Sequence, residues 1–204
     1  MSANLKNTRK SLILFIFALF SLTSCELIEA VDQVVVPNFS SGNKSGTYVI
    51  KKGKHYSNNK AKKLKAEIIR IEATFDSSAV YTTSDPKNQA DINKLYGMSD
   101  CKTKHHTNSA RFGWRWYNNQ LEILAYTYVN KKREFKLIRA VEIGQPVTYE
   151  LKLEDNQYVF TVNGTKVVMP RSCNGTGDGY LLYPYFGGDE TAPHTIKIAI
   201  KNLI

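Results

Sequence analysis

The chain has little of what builds unusual folds. Twelve glycines and six prolines in 204 residues, spread without a period, exclude collagen-like and proline-rich low-complexity architectures. No stretch repeats itself at solenoid or propeller length. Long apolar runs are missing too. The longest, residues 12–20, falls short of the about 20 residues a bilayer-spanning helix needs. Acidic residues are scarce: 28 Lys+Arg face 18 Asp+Glu, a formal charge of +10, which favours acidic partners by long-range attraction. What is there, 42% hydrophobic, 11% aromatic and 23% charged residues, is the profile of an ordinary globular protein, and one domain is expected.

Residues 1–11 carry positive charge only, and they lead into the apolar run and then Ser21-Leu-Thr-Ser-Cys25. A basic start, a short apolar stretch and small residues before a cleavage point make a secretory signal. Leu22-Thr-Ser-Cys25 resembles the lipobox of bacterial lipoproteins, in which the signal is cut before the cysteine and the thiol is acylated. That resemblance implies a signal peptide over 1–24, a diacylglycerol- and palmitate-bearing Cys25, and a bacterial outer-membrane anchor facing the periplasm or the cell surface. Removal of Lys6, Arg9 and Lys10 leaves 25 cations against 18 acids, or +7. Several acyl chains make such an anchor durable where one is marginal. Residues 25–46 read as acylated cysteine plus linker, with Pro37, serines, asparagines and no sustained period. Nucleic acid is not expected as a partner of an envelope lipoprotein.

From residue 47 to 204 the signal is strand after strand. Short runs rich in β-branched and aromatic residues occupy 48–51, 67–75, 94–98, 110–116, 121–129, 134–138, 147–153, 158–162, 166–169, 180–186 and 194–200. Asn118-Asn119, Asp155-Asn156 and Asn163-Gly164 are hairpin turns. The last strand alternates cleanly, with Ile196, Ile198 and Ile200 on one face. The one helix candidate, 60–65, is short and lysine-rich and reads as a surface turn. Eleven strands with closely spaced turns predict an all-β fold, a two-sheet antiparallel jelly-roll sandwich.

Ala110-Arg-Phe-Gly-Trp-Arg-Trp116, Ala125-Tyr-Thr-Tyr128, Tyr149-Glu-Leu-Lys-Leu153, Tyr158-Val-Phe-Thr-Val-Asn-Gly164 and Tyr183-Pro-Tyr-Phe-Gly-Gly-Asp-Glu-Thr-Ala-Pro-His194, in that order, resemble the concanavalin A-like lectin/glucanase superfamily. They are most like its polysaccharide-lyase-like and lectin-like lipoproteins of Bacteroidota. The resemblance implies a glycan partner. The glucanase motif Glu-x-Asp-x-x-Glu, which sets two carboxylates at the separation retaining hydrolysis needs, does not occur. Arg111-Phe-Gly-Trp-Arg115 keeps the two arginines of an alginate-lyase motif without its Glu. Tyr185-Phe-Gly-Gly lacks the Lys of another, and Gln-x-His is absent.

Period-two alternation puts Arg111, Gly113, Arg115 and Tyr117 on one face of their strand, with Phe112, Trp114 and Trp116 on the other. If the first set lies on the concave sheet, the two guanidiniums form a fork for carboxylates or sulfates of an acidic polysaccharide, with Tyr126, Tyr128, Tyr183 and Tyr185 as platforms. The alternative pairs Arg111 and Arg115 with Glu122 or Glu134. Asp100, Cys101, His105 and His106 share a loop, but their spacing matches no closed metal site, so a polar loop is expected and no metal. Gly187-Gly-Asp-Glu190 offers Ca²⁺ two acids, short of the six to eight oxygens it takes, and no cofactor is expected. Gly175-Thr-Gly-Asp-Gly179 reads as a turn. Cys101 and Cys173 are either bridged or two free thiols. The leading expectation is a lipid-anchored protein that binds acidic polysaccharide without catalysis. One alternative is a polysaccharide lyase using His105 or His106 with Tyr185 as base and acid, and another is an envelope scaffold with no sugar site.

Overall fold

In the computed structural model, residues 45–57 and 59–203 are described. The signal at 1–24, Cys25 and the linker up to residue 44 lie outside the described residues. Strand β1 (Ser45–Ile50) begins two residues inside the stretch expected to be linker, because Ser45 and Gly46 already pair with Lys201 and Ile200 near the end of the chain. The other strands are β2 (Lys62–Ala66), β3 (Ile68–Phe75), β4 (Asn93–Ser99), β5 (Ser109–Tyr117), β6 (Gln120–Val129), β7 (Lys132–Val141), β8 (Val147–Glu154), β9 (Gln157–Val162), β10 (Thr165–Pro170), β11 (Gly177–Leu182) and β12 (Ile196–Asn202). Two short 3-10 helices, Ser77–Ala79 and Pro86–Ala90, follow β3. They start where the carboxylates of Asp76 and Asp85 accept the backbone N–H groups of Ser78 and Lys87.

The strands form two antiparallel six-stranded sheets, ordered β1-β12-β3-β8-β9-β10 and β2-β11-β4-β5-β6-β7. This is the expected jelly-roll sandwich. The asparagine turns close the hairpins as anticipated: Asn118 and Asn119 have φ of 51° and 56°, and Asn163 and Gly164 have 42° and 82°. Positive φ at both central residues gives the turn whose twist matches the strands. Asn130 and Lys131 do the same between β6 and β7.

Alternation decides which side chains go inside. Val147, Tyr149, Leu151 and Leu153 of β8 and Ile196, Ile198 and Ile200 of β12 are buried. They face Phe112 and Trp114 of β5, and the Phe112 ring lies 5.2 Å from both Tyr149 and Phe160. Each buried aliphatic or aromatic side chain contributes about 1.5–3 kcal/mol.

Two expectations fail. The stretch 60–65 is neither helix nor surface turn: Lys62 to Ala66 pair residue for residue with β11, exposing Lys63 and Lys65 while Leu64 and Ala66 pack on the core. Two apolar residues at alternate positions are enough to seat an edge strand and not enough to seat a helix. The glycines at 177 and 179 belong to β11 and not to a turn. A β-carbon at Gly179 would collide with the Ser99 backbone carbonyl, so glycine lets the strand pass close to β4.

Candidate functional site

The second sheet turns Phe112 and Trp114 inward, so Arg111 and Gly113 face outward. The register carries this across four strands. Gly97, Arg111, Tyr126 and Phe135 stand opposite one another, as do Lys94, Gly113, Leu124 and Leu137. Ile92, Leu124 and Tyr126 form a small apolar cluster on this outer face, separate from the main core. Ile92 lies over Gly113, where a β-carbon would meet its Cγ2 at 2.5 Å.

Two cations sit in this floor. Arg111 is 6% and Lys94 8% exposed. Lys94 Nζ donates to the Ile92 carbonyl at 2.6 Å and stands 4.6 Å from the Tyr126 ring centroid and 6.0 Å from that of Tyr185. The Arg111 guanidinium lies 5.6 Å from the Tyr126 centroid. Its buried Nε has no hydrogen-bond partner, and among the described residues no carboxylate pairs with it. Burial pushes Arg111 down to about 10, partly offset by Tyr126, Tyr128 and Tyr185, so it stays charged at neutral pH. Burial, then the charges of Arg111 and Arg133, push Lys94 down to about 8.

The histidine loop closes one end. The His105 and His106 rings are 4.2 Å apart, and His106 lies 5.3 Å from Tyr128. Burial, then Arg111 and His106, push His105 down to about 4. At the other end Tyr185 bridges Lys94 through two backbone hydrogen bonds of 2.8 and 2.9 Å, and His55 stacks on its ring at 5.4 Å. The structure thus brings together Arg111, Tyr126, Tyr128, Tyr185, His105 and His106.

Other expected members stand apart. The Arg111/Arg115 fork does not form, because Glu122 lies directly across from Arg115 and accepts from its Nε at 2.7 Å, while the Ala90 carbonyl accepts from Nη1 at 2.8 Å. Tyr117 stacks on that spent guanidinium at 4.6 Å. Tyr183 is no platform on this face: the strand ends at Leu182, and its ring packs on Tyr48 and Tyr96 at the edge of the core, 5.8 and 5.9 Å away.

Lys94 escaped sequence reasoning. A bulge between Lys94 and Tyr96 sends Tyr96 inward and Lys94 outward, breaking the alternation that would put them on one face. Arg133, Phe135 and Leu137 carry no motif, and only the pairing of β7 with β6 sets them beside Tyr128, Tyr126 and Leu124.

Cys101 and Cys173 are bridged, with Cα atoms 5.8 Å apart. The neighbouring Asp100 carboxylate is fully buried and accepts from Arg171 Nε at 2.7 Å, Tyr158 Oη at 3.0 Å and the Asp178 amide at 3.0 Å. With both sulfurs bonded and the carboxylate taken, this group offers a metal little. Glu190 accepts from the amides of Ser84 and Asp85 and from Asn88 Nδ2, which holds its carboxyl down at about 2. A cleft of about 730 Å³ lined by Trp116, Gln120, Arg139, Glu142 and Gln145 takes in none of the clustered residues.

No protein-family model matches the chain, and no curated protein matches it in sequence. Its structure is similar to that of an alginate lyase, with a TM-score of 0.55 at 6% identity over 76% of this chain and 72% of that one. It is also similar to a glycoside hydrolase family 16 endo-glucanase from Bacteroides ovatus, with a TM-score of 0.48 at 10% identity over 78% and 82%. A laminarinase catalytic domain from Thermotoga petrophila gives 0.48 at 9% identity over 79% and 77%. The two six-stranded antiparallel sheets and the likeness to the alginate lyase give the chain a jelly-roll sandwich fold.

Proposed function

We propose that the outer face of the second sheet binds an acidic polysaccharide without catalysis, one sugar's carboxylate or sulfate seated at Arg111 and Lys94. One observation carries this reading: two buried cations share a floor, and among the described residues no acid pairs with Arg111. A buried charge without a partner costs several kcal/mol, so it persists where a ligand supplies the counter-charge. The surrounding phenols and imidazoles add donors. The fold shared with an alginate lyase is in keeping with a polysaccharide partner. On this reading the leader is removed and acylated Cys25 holds the domain at the outer membrane by lipid.

The clustering of Tyr185 and His105 around Arg111 favours a second reading, β-elimination on a uronate. Arg111 would neutralise the carboxylate, and His105 or His106 would take the proton from C5. The C4–O4 bond would break as the C4=C5 bond forms, and Tyr185 would protonate the leaving oxygen. Binding alone ranks first because Arg111-Phe-Gly-Trp-Arg115 and Tyr185-Phe-Gly-Gly lack the Glu and the Lys of the alginate-lyase motifs and Gln-x-His does not occur.

Affinity for alginate, polygalacturonate and heparin, measured with Arg111→Met, tests the binding site. Loss of about 30-fold or more in affinity, with thermal stability equal to or above wild type, is the expected result. Unchanged affinity for all three refutes it. Steady growth of unsaturated-uronate absorbance, abolished in Tyr185→Phe, would put elimination in place of binding alone.

A further inference from the structure

We infer that β7 supplies a second sugar subsite: while one acidic residue of the glycan sits at Arg111 and Lys94, the residue two further along lays its ring face on Phe135 and Leu137. The inference rests on the proposed acidic-glycan site and adds the direction of the chain, across the strands from β4 to β7.

Phe135 is 47% and Leu137 54% exposed, although both belong to the edge strand of the sheet. An edge strand with large bare apolar side chains invites aggregation. Their positions give them a use. Phe135 stands directly across from Tyr126, which stands across from Arg111, and Leu137 ends the row that begins with Lys94. Two strand spacings, about 9.6 Å, separate Arg111 from Phe135 along their row, close to the length of two sugar residues, so the intervening residue passes over Tyr126. A sugar ring has polar edges and C–H-lined faces, and an aromatic ring two strands from a cation matches an anionic sugar followed two residues on by a face-on one.

A second copy of the chain fits less well. Strand β7 carries Lys132, Arg133, Lys136 and Arg139 against the single acid Glu134, so two such edges repel. Two side chains also fall far short of the roughly 800 Å² per partner of a stable interface.

The test uses the full chain extracted in detergent, with mannuronate and galacturonate oligomers from monomer to tetramer as probes. Phe135→Ala should weaken trimer and tetramer binding roughly three- to tenfold and leave the monomer unchanged, whereas Arg111→Met weakens every length alike. Phe135→Tyr should keep the wild-type length dependence. Equal affinity of Phe135→Ala and wild type for the tetramer overturns the subsite and leaves the Arg111 site standing. A wild type that binds neither these oligomers nor heparin overturns both. A change in sedimentation of Phe135→Ala, without a change in tetramer binding, would assign the ridge to self-association and refute the subsite.

Discussion

Lys94 shows how much of the site's character comes from where a single ammonium is placed. Exposed, it would titrate near 10.4; buried beside Arg111 and Arg133 it is pushed down to about 8. Between those two values the unfolded chain holds more protons than the folded one, so stability rises with pH across that window. Below about pH 8 the penalty for burying the charge is present in full, and it is relieved as the amine becomes neutral. Buried tyrosines such as Tyr81 and Tyr126, pushed up to about 12, act with the opposite sign and only above pH 10. Urea denaturation from pH 7.5 to 10 should therefore show a rising midpoint in wild type and a flat one in Lys94→Met. Affinity for an acidic glycan should run the other way, falling as Lys94 loses its proton above about pH 8. A midpoint that climbs equally in Lys94→Met would assign the slope to another group.

At the scale of elements, the sheets were legible in the sequence because alternation and asparagine turns are local signals. Phe112 and Trp114 turned inward and Arg111 outward as period two requires. The failures lie where alternation is interrupted. The bulge at β4 hid Lys94, and the end of β11 at Leu182 separated Tyr183 from Tyr185. The Arg115–Glu122 pair depended on register, which a single strand read alone does not reveal. The cysteine bridge was also beyond local reading, since it joins the loop after β4 to the connection before β11. That bridge and the Asp100–Arg171 pair staple the same two segments. On the chain-entropy model, closing a loop of separation 72 contributes about 4 kcal/mol. Removing Arg171 leaves Asp100 buried and unpaired, at about 3–5 kcal/mol. Chemical denaturation of C101S/C173S, Arg171→Leu and the triple variant should give losses of those sizes that fall short of adding, because each staple holds what the other holds. Full additivity would mean that the two act on independent regions.

Across the whole molecule, positive charge frames the sheet that carries the site. One edge is β2, with Lys62, Lys63 and Lys65, and the other is β7, with Lys132, Arg133 and Lys136. Charged edges resist strand addition by a second chain, and on the proposed reading the same charges would draw a polyanion toward the face between them. Steering and holding are then done by different residues. The edge lysines are exposed and screened by salt, whereas Arg111 and Lys94 are buried and screened little. Raising the salt from 0.01 to 0.15 M shortens the screening length from about 30 to about 8 Å. The association rate with alginate should fall about tenfold or more over that range while the dissociation rate changes little. Reversing Lys63 and Lys65 to Glu should flatten the salt dependence of association and leave dissociation alone. Neutral laminarin should give no signal at either salt, because its hydroxyls offer Arg111 no counter-charge. Salt acting mainly on the dissociation rate would instead locate the holding contacts at the exposed lysines and leave the buried pair without its role.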